Sequence, residues 1–247
     1  MTKGLSRRRL LSVGVALPAA LPLGGAVAET IRGETPWSEG RADHPSLAPI
    51  GEGYSYFTPA EAAFVEAAVG RLIPKDELGP GAVEAGVPVF LDRQLGGDYG
   101  KALRWYMGGP WSPGLPTQGY QSRFTPAQMY RAAIRAIDAA VARDHGGAAF
   151  AKLSAGDQDK VLENLEAGRM ALDGVDAKAF FKLLLQNTIE GFFSDPIYGG
   201  NRDMVGWKLI GFPGARYDQR RFASRYGEPY PLPPVGIAGR SGWHNGG

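Results

Sequence analysis

Two four-residue segments of this chain carry the same signal for the start of a helix. They read Thr-Pro-Ala-Glu at 58–61 and Thr-Pro-Ala-Gln at 125–128. In each segment, the threonine can accept hydrogen bonds from the first free N–H groups of a helix, the proline suits the first helical position, and the Glu or Gln can bond back to the threonine N–H. Apolar residues at helical spacing follow both segments. The chain is therefore expected to begin two amphipathic helices at these points.

Helical periodicity also dominates the residues between and after these segments. Four clear helices are predicted, at Thr58–Ile73, Thr125–Arg143, Ser154–Gly168 and Asp176–Phe193. Two weaker helical stretches are predicted at 83–95 and 101–107. Alternating strand patterns joined by hairpin turns do not occur in the sequence. The predicted fold class is all-α: a small helical bundle with an irregular N-terminal arm and an extended C-terminal segment rich in Gly, Pro and aromatic residues.

The helix that begins after Asp176 is apolar around much of its circumference, which predicts that it lies at the centre of the bundle. Glu190 falls inside this apolar run. A buried carboxylate needs a compensating partner, so the sequence favours a structural salt bridge for Glu190 over a catalytic role. Glu163 and Glu166 fall on polar helix faces and are expected to be solvated.

The sequence divides into four parts. A signal peptide is predicted at 1–28, an irregular arm at 29–56, the helical bundle at 57–193, and a loop and extended tail at 194–247. The last part is expected to pack on the bundle or on a partner protein.

The N-terminus has the three-part order of an export signal. A basic start containing Arg7 and Arg8 precedes a weakly apolar run, and Ala26-Val27-Ala28 supplies small residues for cleavage. The arginine pair followed by Leu10-Leu11 matches the twin-arginine version of the signal. A membrane anchor is the alternative, but Pro and Gly residues interrupt the apolar run. The sequence therefore predicts a periplasmic protein exported by the twin-arginine pathway.

Charge and cysteine content exclude several classes of protein. The formal net charge of +2 includes the basic residues of the signal, and the chain after Ala28 has 23 basic and 25 acidic side chains. No Lys/Arg-rich run remains to predict binding to nucleic acid or anionic lipid. The chain contains no cysteine, which excludes disulfides, thiolate metal sites, iron–sulfur clusters and covalent haem attachment.

Motifs for catalysis are also absent from the sequence. The sequence contains no zinc-protease, serine-hydrolase, phosphate-loop or dinucleotide-binding pattern. The three histidines, His44, His145 and His244, are far apart in the chain. His145 follows a predicted helix end, where the helix dipole favours a cation. No catalytic, cofactor-binding or metal-binding residue is therefore predicted.

The most unusual segment follows the fourth helix and runs from Gly191 to Arg216. Asp195-Pro196 should stop the helix, and Gly199-Gly200-Asn201 permits a tight reversal of the chain. Arg202 and Asp203 then lie among aromatic residues. A segment of this composition is either a loop that closes the fold or a binding surface, and its chemistry alone does not decide between them.

The segment from Phe192 to Lys208 resembles the gluconate 2-dehydrogenase subunit 3 family. The resemblance continues through Gly211-Phe212-Pro213-Gly214-Ala215. The Thr58-Pro59 helix start, the Ile73-Pro74 helix end and the twin-arginine signal fit the same family. The resemblance covers about 57–217.

This resemblance implies a non-catalytic small, or gamma, subunit of a periplasmic, membrane-associated sugar or sugar-acid dehydrogenase complex. The implied partners are a large FAD-containing subunit and a multihaem cytochrome c subunit, and this chain is expected to hold no cofactor itself. Contact with the membrane is expected only through the complex. The subunit would support assembly, stability and export of the flavoprotein.

On this interpretation the loop and tail dock onto the large subunit. The candidate partner-binding residues are Asp195, Tyr198, Asn201, Arg202, Asp203, Trp207 and Phe212. The rival interpretation for Trp207 is that it fills the bundle core. A rival for the whole chain is a free-standing periplasmic enzyme or sugar-binding protein with its site at 195–207.

Overall fold

The computed structural model describes residues 53–112, 114–115, 117–216, 219–220 and 222–237. The predictions for the signal peptide, including Arg7, Arg8, Ala26 and Ala28, lie outside these residues, as do His44 and His244. The described α-helices are α1 Pro59–Leu72, α2 Val87–Gly96, α3 Pro126–Asp144, α4 Ala155–Glu166, α5 Ala177–Phe193 and α6 Val205–Ile210. Three 3₁₀ turns occupy Phe150–Lys152, Pro196–Tyr198 and Arg202–Met204. Strands are absent from the described ranges apart from isolated bridges, so the all-α prediction is confirmed.

Both predicted capping boxes form. Thr58 Oγ1 accepts from the Glu61 N–H at 3.3 Å, and the Glu61 carboxylate accepts from the Thr58 N–H at 2.9 Å. Thr125 and Gln128 repeat the pair at the same distances. These reciprocal bonds satisfy two N–H groups that a helix start otherwise leaves free.

The two weaker helical predictions need correction. The helix expected at 83–95 begins only at Val87, because Gly86 has a left-handed conformation with φ of 79°. The stretch at 101–107 forms turns, since Ala102 has φ of 51°, which a helix cannot include. The segment expected to be loop and tail contains α6, a short helix that the glycine-rich sequence around it obscured.

Helix α5 occupies the centre of the bundle, as its sequence predicts. It contacts α1, α2, α3, α4 and α6, and Phe180 and Leu184 are completely buried. The prediction of a buried salt bridge for Glu190 is wrong. Glu190 lies on an exposed face of α5 and accepts a hydrogen bond from Gln186 Nε2 at 2.8 Å, because the apolar run is not apolar on every side.

Three polar side chains are linked by hydrogen bonds in the core beside α5. The Tyr99 hydroxyl donates to Asn187 Oδ1 at 2.9 Å, and Asn187 Nδ2 donates to the Tyr130 hydroxyl at 3.1 Å. Burial raises the pKa of Tyr99 to about 12 and raises the pKa of Tyr130 further. The three side chains therefore satisfy one another as neutral groups and tie the turn after α2 to α3 and α5.

Asp92 on α2 fastens the segment that leads into α1. Its carboxylate accepts hydrogen bonds from the backbone N–H groups of Ser55, Tyr56 and Phe57 and from the Ser55 hydroxyl, at 2.7–2.8 Å. Burial by itself would raise the pKa of Asp92, but these hydrogen bonds to the charged form outweigh it and lower the pKa below its usual range. Asp92 is thus a buried carboxylate with a full set of donors.

The C-terminal residues fold back on the loop after α5. The Ala215 N–H donates to the Val235 carbonyl at 2.6 Å, and Val235 is buried. The rings of Phe222 and Tyr230 pack together with centroids 4.6 Å apart. Tyr226 is exposed, and Tyr217 lies outside the described residues. Within the described ranges, no helix is both long and apolar enough to cross a membrane.

Candidate functional site

The two carboxylate oxygens of Asp195 each accept a hydrogen bond within the C-terminal part of the chain. One carboxylate oxygen accepts from the Ile197 N–H at 3.0 Å and caps the 3₁₀ turn that follows α5. The other accepts from the Ile237 N–H at 2.7 Å. Both oxygens therefore hold the loop and the returning tail together.

Asn201 joins the end of α5 to the start of α6 from a completely buried position. Its Nδ2 donates to the Ser194 carbonyl and its Oδ1 accepts from the Gly206 N–H, both at 2.8 Å. Its backbone has φ of 45°, a left-handed conformation that asparagine tolerates better than most residues. The amide is fully used inside the chain.

Trp207 is also an internal residue, with 5% of its surface exposed. The indole Nε1 donates to the Phe193 carbonyl at 2.8 Å, which satisfies a carbonyl in the last turn of α5. Its ring packs edge-on against Phe212 with centroids 5.2 Å apart. Burial within its own chain favours a structural role for Trp207 over that of an interface anchor.

The remaining predicted site residues lie on the surface. The side chains of Arg202 and Asp203 are exposed, and Tyr198 and Phe212 are about half exposed. Leu209 and Ile210 on α6 add apolar surface close to Phe212 in the chain. The structure therefore divides the predicted set into an internal framework and an outward surface.

The backbone around Arg202 is held in an unusual conformation. Asp203 and Met204 have φ of 56° and 57°, and left-handed conformations at such residues cost about 1 kcal/mol or more each. The Arg202 N–H donates to the Ala85 carbonyl at 2.9 Å, which fixes this turn against the residues that precede α2. Strain of this kind persists where the surrounding structure imposes one geometry.

Two arginines flank the contact between this turn and α2. A Cβ atom on Gly86 would lie 2.7 Å from the Gly199 carbonyl oxygen and 3.6 Å from Nη2 of Arg202. A Cβ atom on Gly199 would lie 2.7 Å from Nη1 of Arg93. The two glycines, with φ of 79° and 100°, allow this close approach. Both guanidinium groups are therefore positioned at one place by the fold.

Neither guanidinium makes a hydrogen bond or ion pair to any part of the chain that the structure describes. We call Arg93, Arg202, Tyr198 and the exposed residues Leu209, Ile210 and Phe212 the loop surface. It combines guanidinium groups able to donate two hydrogen bonds to one carboxylate with aromatic and aliphatic side chains.

Sequence reasoning missed Arg93 and Asp92. Arg93 lies in a helix more than a hundred residues before Arg202, and nothing in the sequence relates the two. A signal for Asp92 was available, since it interrupts the apolar run Val87-Pro88-Val89-Phe90-Leu91. A charge in such a run requires buried donors.

Of the three histidines, only His145 lies among the described residues. His145 is the C-cap of α3, where its sequence position placed it. In the described ranges, no group of three or more His, Asp or Glu side chains is arranged to hold a metal ion.

Fold and site together define an all-α protein whose most distinctive feature is a surface with two arginines whose guanidinium groups have no ion-pair partner among the described residues. Comparison with protein-family models matches residues 59–214 to gluconate 2-dehydrogenase subunit 3. The match spans more than half of the chain, so this protein belongs to the gluconate 2-dehydrogenase subunit 3 family, as its sequence resemblance predicts. The family is that of one subunit of a multi-subunit gluconate dehydrogenase complex. Neither a curated protein nor a solved structure gives a significant match.

Proposed function

We propose that this chain is the non-catalytic small subunit of a periplasmic, membrane-associated, FAD-dependent sugar-acid dehydrogenase. Its partners are the large flavoprotein subunit and a multihaem cytochrome c subunit, which carry the FAD and the haem. The small subunit binds the flavoprotein, supports its assembly and stability, and carries the twin-arginine signal for joint export.

The observation that carries this proposal is the pair of arginines at the Gly86–Gly199 contact, whose guanidinium groups have no partner in the part of the chain that the structure describes. Arginine and tyrosine are enriched among the residues that dominate binding energy at protein interfaces. Arg93 and Arg202 offer planar donors that suit an Asp or Glu side chain on the partner. Leu209, Ile210 and Phe212, which follow Arg202 in the chain, add exposed apolar side chains to the proposed interface.

The internal framework supports the same function. Asp195, Asn201 and Trp207 use their polar groups within the chain, so they are not available to bind a sugar. They hold the exposed residues of the loop in one geometry instead. A rigid surface loses less conformational entropy on association than a mobile one.

Co-expression with the flavoprotein subunit tests this function. We expect a stable complex that is recovered from the periplasm and oxidises the sugar acid with an artificial acceptor. Without the small subunit, the flavoprotein should remain in the cytoplasm or be degraded. Binding of gluconate by the small subunit alone, together with no recovery of a complex, would instead support a free-standing sugar-binding protein.

A further inference from the structure

A second surface of the molecule exposes large apolar side chains that are not part of the loop surface. It lies on residues 101–112 and 114–115, which we call the aromatic loop. Leu103 is 65% exposed, Tyr106 is 90% exposed and Leu115 is 68% exposed, and Trp111 is also exposed. Large apolar side chains grouped in this way mark an interaction site more often than scattered ones do.

The aromatic loop is attached firmly to the bundle. The ring of Trp105 packs edge-on against Tyr99, with centroids 5.6 Å apart, and at a tilt against Tyr120, with centroids 5.1 Å apart. Tyr99 in turn is hydrogen-bonded to Asn187 in the core. The Gly100 carbonyl accepts from the Ala127 N–H at the start of α3. The exposed side chains are therefore presented by an anchored segment.

The two charged residues within the aromatic loop itself, Lys101 and Arg104, are both basic, and the nearest acidic residue in the sequence is the exposed Asp98, three residues before Lys101. From Tyr99 to Ile137 the sequence contains five basic residues and no acidic one; the basic residues are Lys101, Arg104, Arg123, Arg131 and Arg135. Arg131 forms an ion pair with Glu61, and its guanidinium group lies over the ring of Tyr56. Lys101 and Arg104 lie in the aromatic loop itself, are exposed, and make no ion pair with the described residues. Because the basic residues are spaced along the sequence, they do not form a run.

This combination fits a bilayer surface that carries anionic lipid better than it fits a protein. Trp and Tyr rings with a polar edge concentrate at membrane–water interfaces, where Leu side chains reach the acyl boundary. Lys and Arg place their charge among the headgroups while their stems cover apolar surface. Within the loop itself no acidic residue opposes the attraction of Lys101 and Arg104 to anionic headgroups.

The aromatic loop and the Gly86–Gly199 contact of the loop surface lie at different ends of α2, and Arg93 of the loop surface belongs to the helix itself. Gly86, which contacts Gly199, precedes the helix, and the aromatic loop follows Gly96 at its other end. Ten helical residues span about 15 Å. Both surfaces can therefore be used by one molecule, and each can be tested without the other.

We propose that the aromatic loop binds directly to the surface of a membrane containing anionic lipid, through Leu103, Tyr106, Trp111 and Leu115 with Lys101 and Arg104. The subunit then contacts the bilayer itself rather than through its partners alone. The contact is interfacial and requires no membrane-spanning segment.

The test uses the absence of cysteine, which allows a single labelling site in the full chain. Tyr106→Cys carries an environment-sensitive fluorophore in the aromatic loop, and Leu209→Cys carries it on α6, an exposed apolar position outside that loop. Each labelled protein is mixed with vesicles of equimolar phosphatidylglycerol and phosphatidylcholine, or with phosphatidylcholine alone. Labelled Leu115→Cys provides a second position in the loop if the first variant does not fold.

We expect a blue shift and higher intensity from the loop label with the anionic vesicles and no change from the α6 label. Lys101→Gln with Arg104→Gln should weaken vesicle binding about thirtyfold, at about 1 kcal/mol per basic residue, whereas Lys178→Gln with Lys182→Gln, which changes the net charge equally, should leave it unchanged. The N-terminal basic residues are the same in every protein and cannot produce this difference.

Three results would overturn the proposal. They are an unchanged loop label on anionic vesicles, equal shifts at both labels, and equal weakening by the two pairs of charge substitutions. A loop label that responds to the flavoprotein subunit and not to vesicles would show a protein partner there instead. None of these results bears on whether the loop surface binds the flavoprotein.

Discussion

The indole N–H of Trp207 donates to the backbone carbonyl of Phe193 across 2.8 Å, and this bond joins α6 to the last residue of α5. The tryptophan therefore holds the loop closed in the isolated subunit. Its burial favours a structural role for this residue over that of an interface anchor.

Trp207→Ala should destabilise the isolated subunit. Loss of a buried tryptophan typically costs about 3–5 kcal/mol, which corresponds to a fall in Tm of about 10 °C for a chain of this size. Trp207→Phe, which keeps an apolar ring but removes the donor, should lose much less. Thermal unfolding of both variants makes the comparison. An unchanged Tm for Trp207→Ala, with weaker binding to the partner, would return this residue to the interface.

Asp92 should make stability depend on pH in the acidic range. Its pKa is lower in the folded chain than in the unfolded one, so the stabilising effect of its hydrogen bonds is present above about pH 4 and is lost as the pH falls through the folded pKa. Asp92→Asn should lower the free energy of unfolding at neutral pH by about 2 kcal/mol, because hydrogen bonds to a charged group are lost.

Urea unfolding of the wild type and Asp92→Asn, repeated from neutral to acidic pH, measures this effect. The difference between them should shrink as the pH falls. Asp98→Asn, an exposed substitution outside this cluster, serves as the control. A difference that stays constant or grows in acid would show that the carboxylate is not held in its charged form.

The helices could be predicted from sequence because their signals are local. Thr58, Thr125, Ser154 and Asp176 each begin a helix within a few residues of the pattern that indicates it. The site could be predicted only in part. That Asn201 is buried and Arg202 exposed depends on how the turn meets α2, and the position of Arg93 beside Gly199 depends on contacts between distant parts of the chain.

Export should require the arginine pair near the N-terminus. We expect Arg7→Lys with Arg8→Lys to leave the precursor in the cytoplasm. The substitutions keep the charge, but the twin-arginine signal is recognised by a receptor and not by its charge alone. Fractionation of cells producing tagged wild-type and variant chains measures it. Normal export of the double variant would contradict the twin-arginine assignment.

The purified subunit should contain no stoichiometric flavin, haem or metal. The sequence has no cysteine and no recognised cofactor motif, and the proposed function assigns FAD and haem to the partners. An absorbance spectrum and elemental analysis of the purified full chain measure this directly. Flavin or iron at one equivalent per chain would require a cofactor site in this subunit.

The most direct test of the account is the affinity of the purified chain for its flavoprotein subunit, measured by titration calorimetry. We expect a defined complex that Arg93→Gln with Arg202→Gln weakens by about 2 kcal/mol or more, the usual scale for charged anchors at an interface. Arg135→Gln, an exposed arginine on α3, should have little effect. Equal affinity of the double variant and the wild type would contradict the role of the arginine pair, and no binding by the wild type would contradict the proposed function itself.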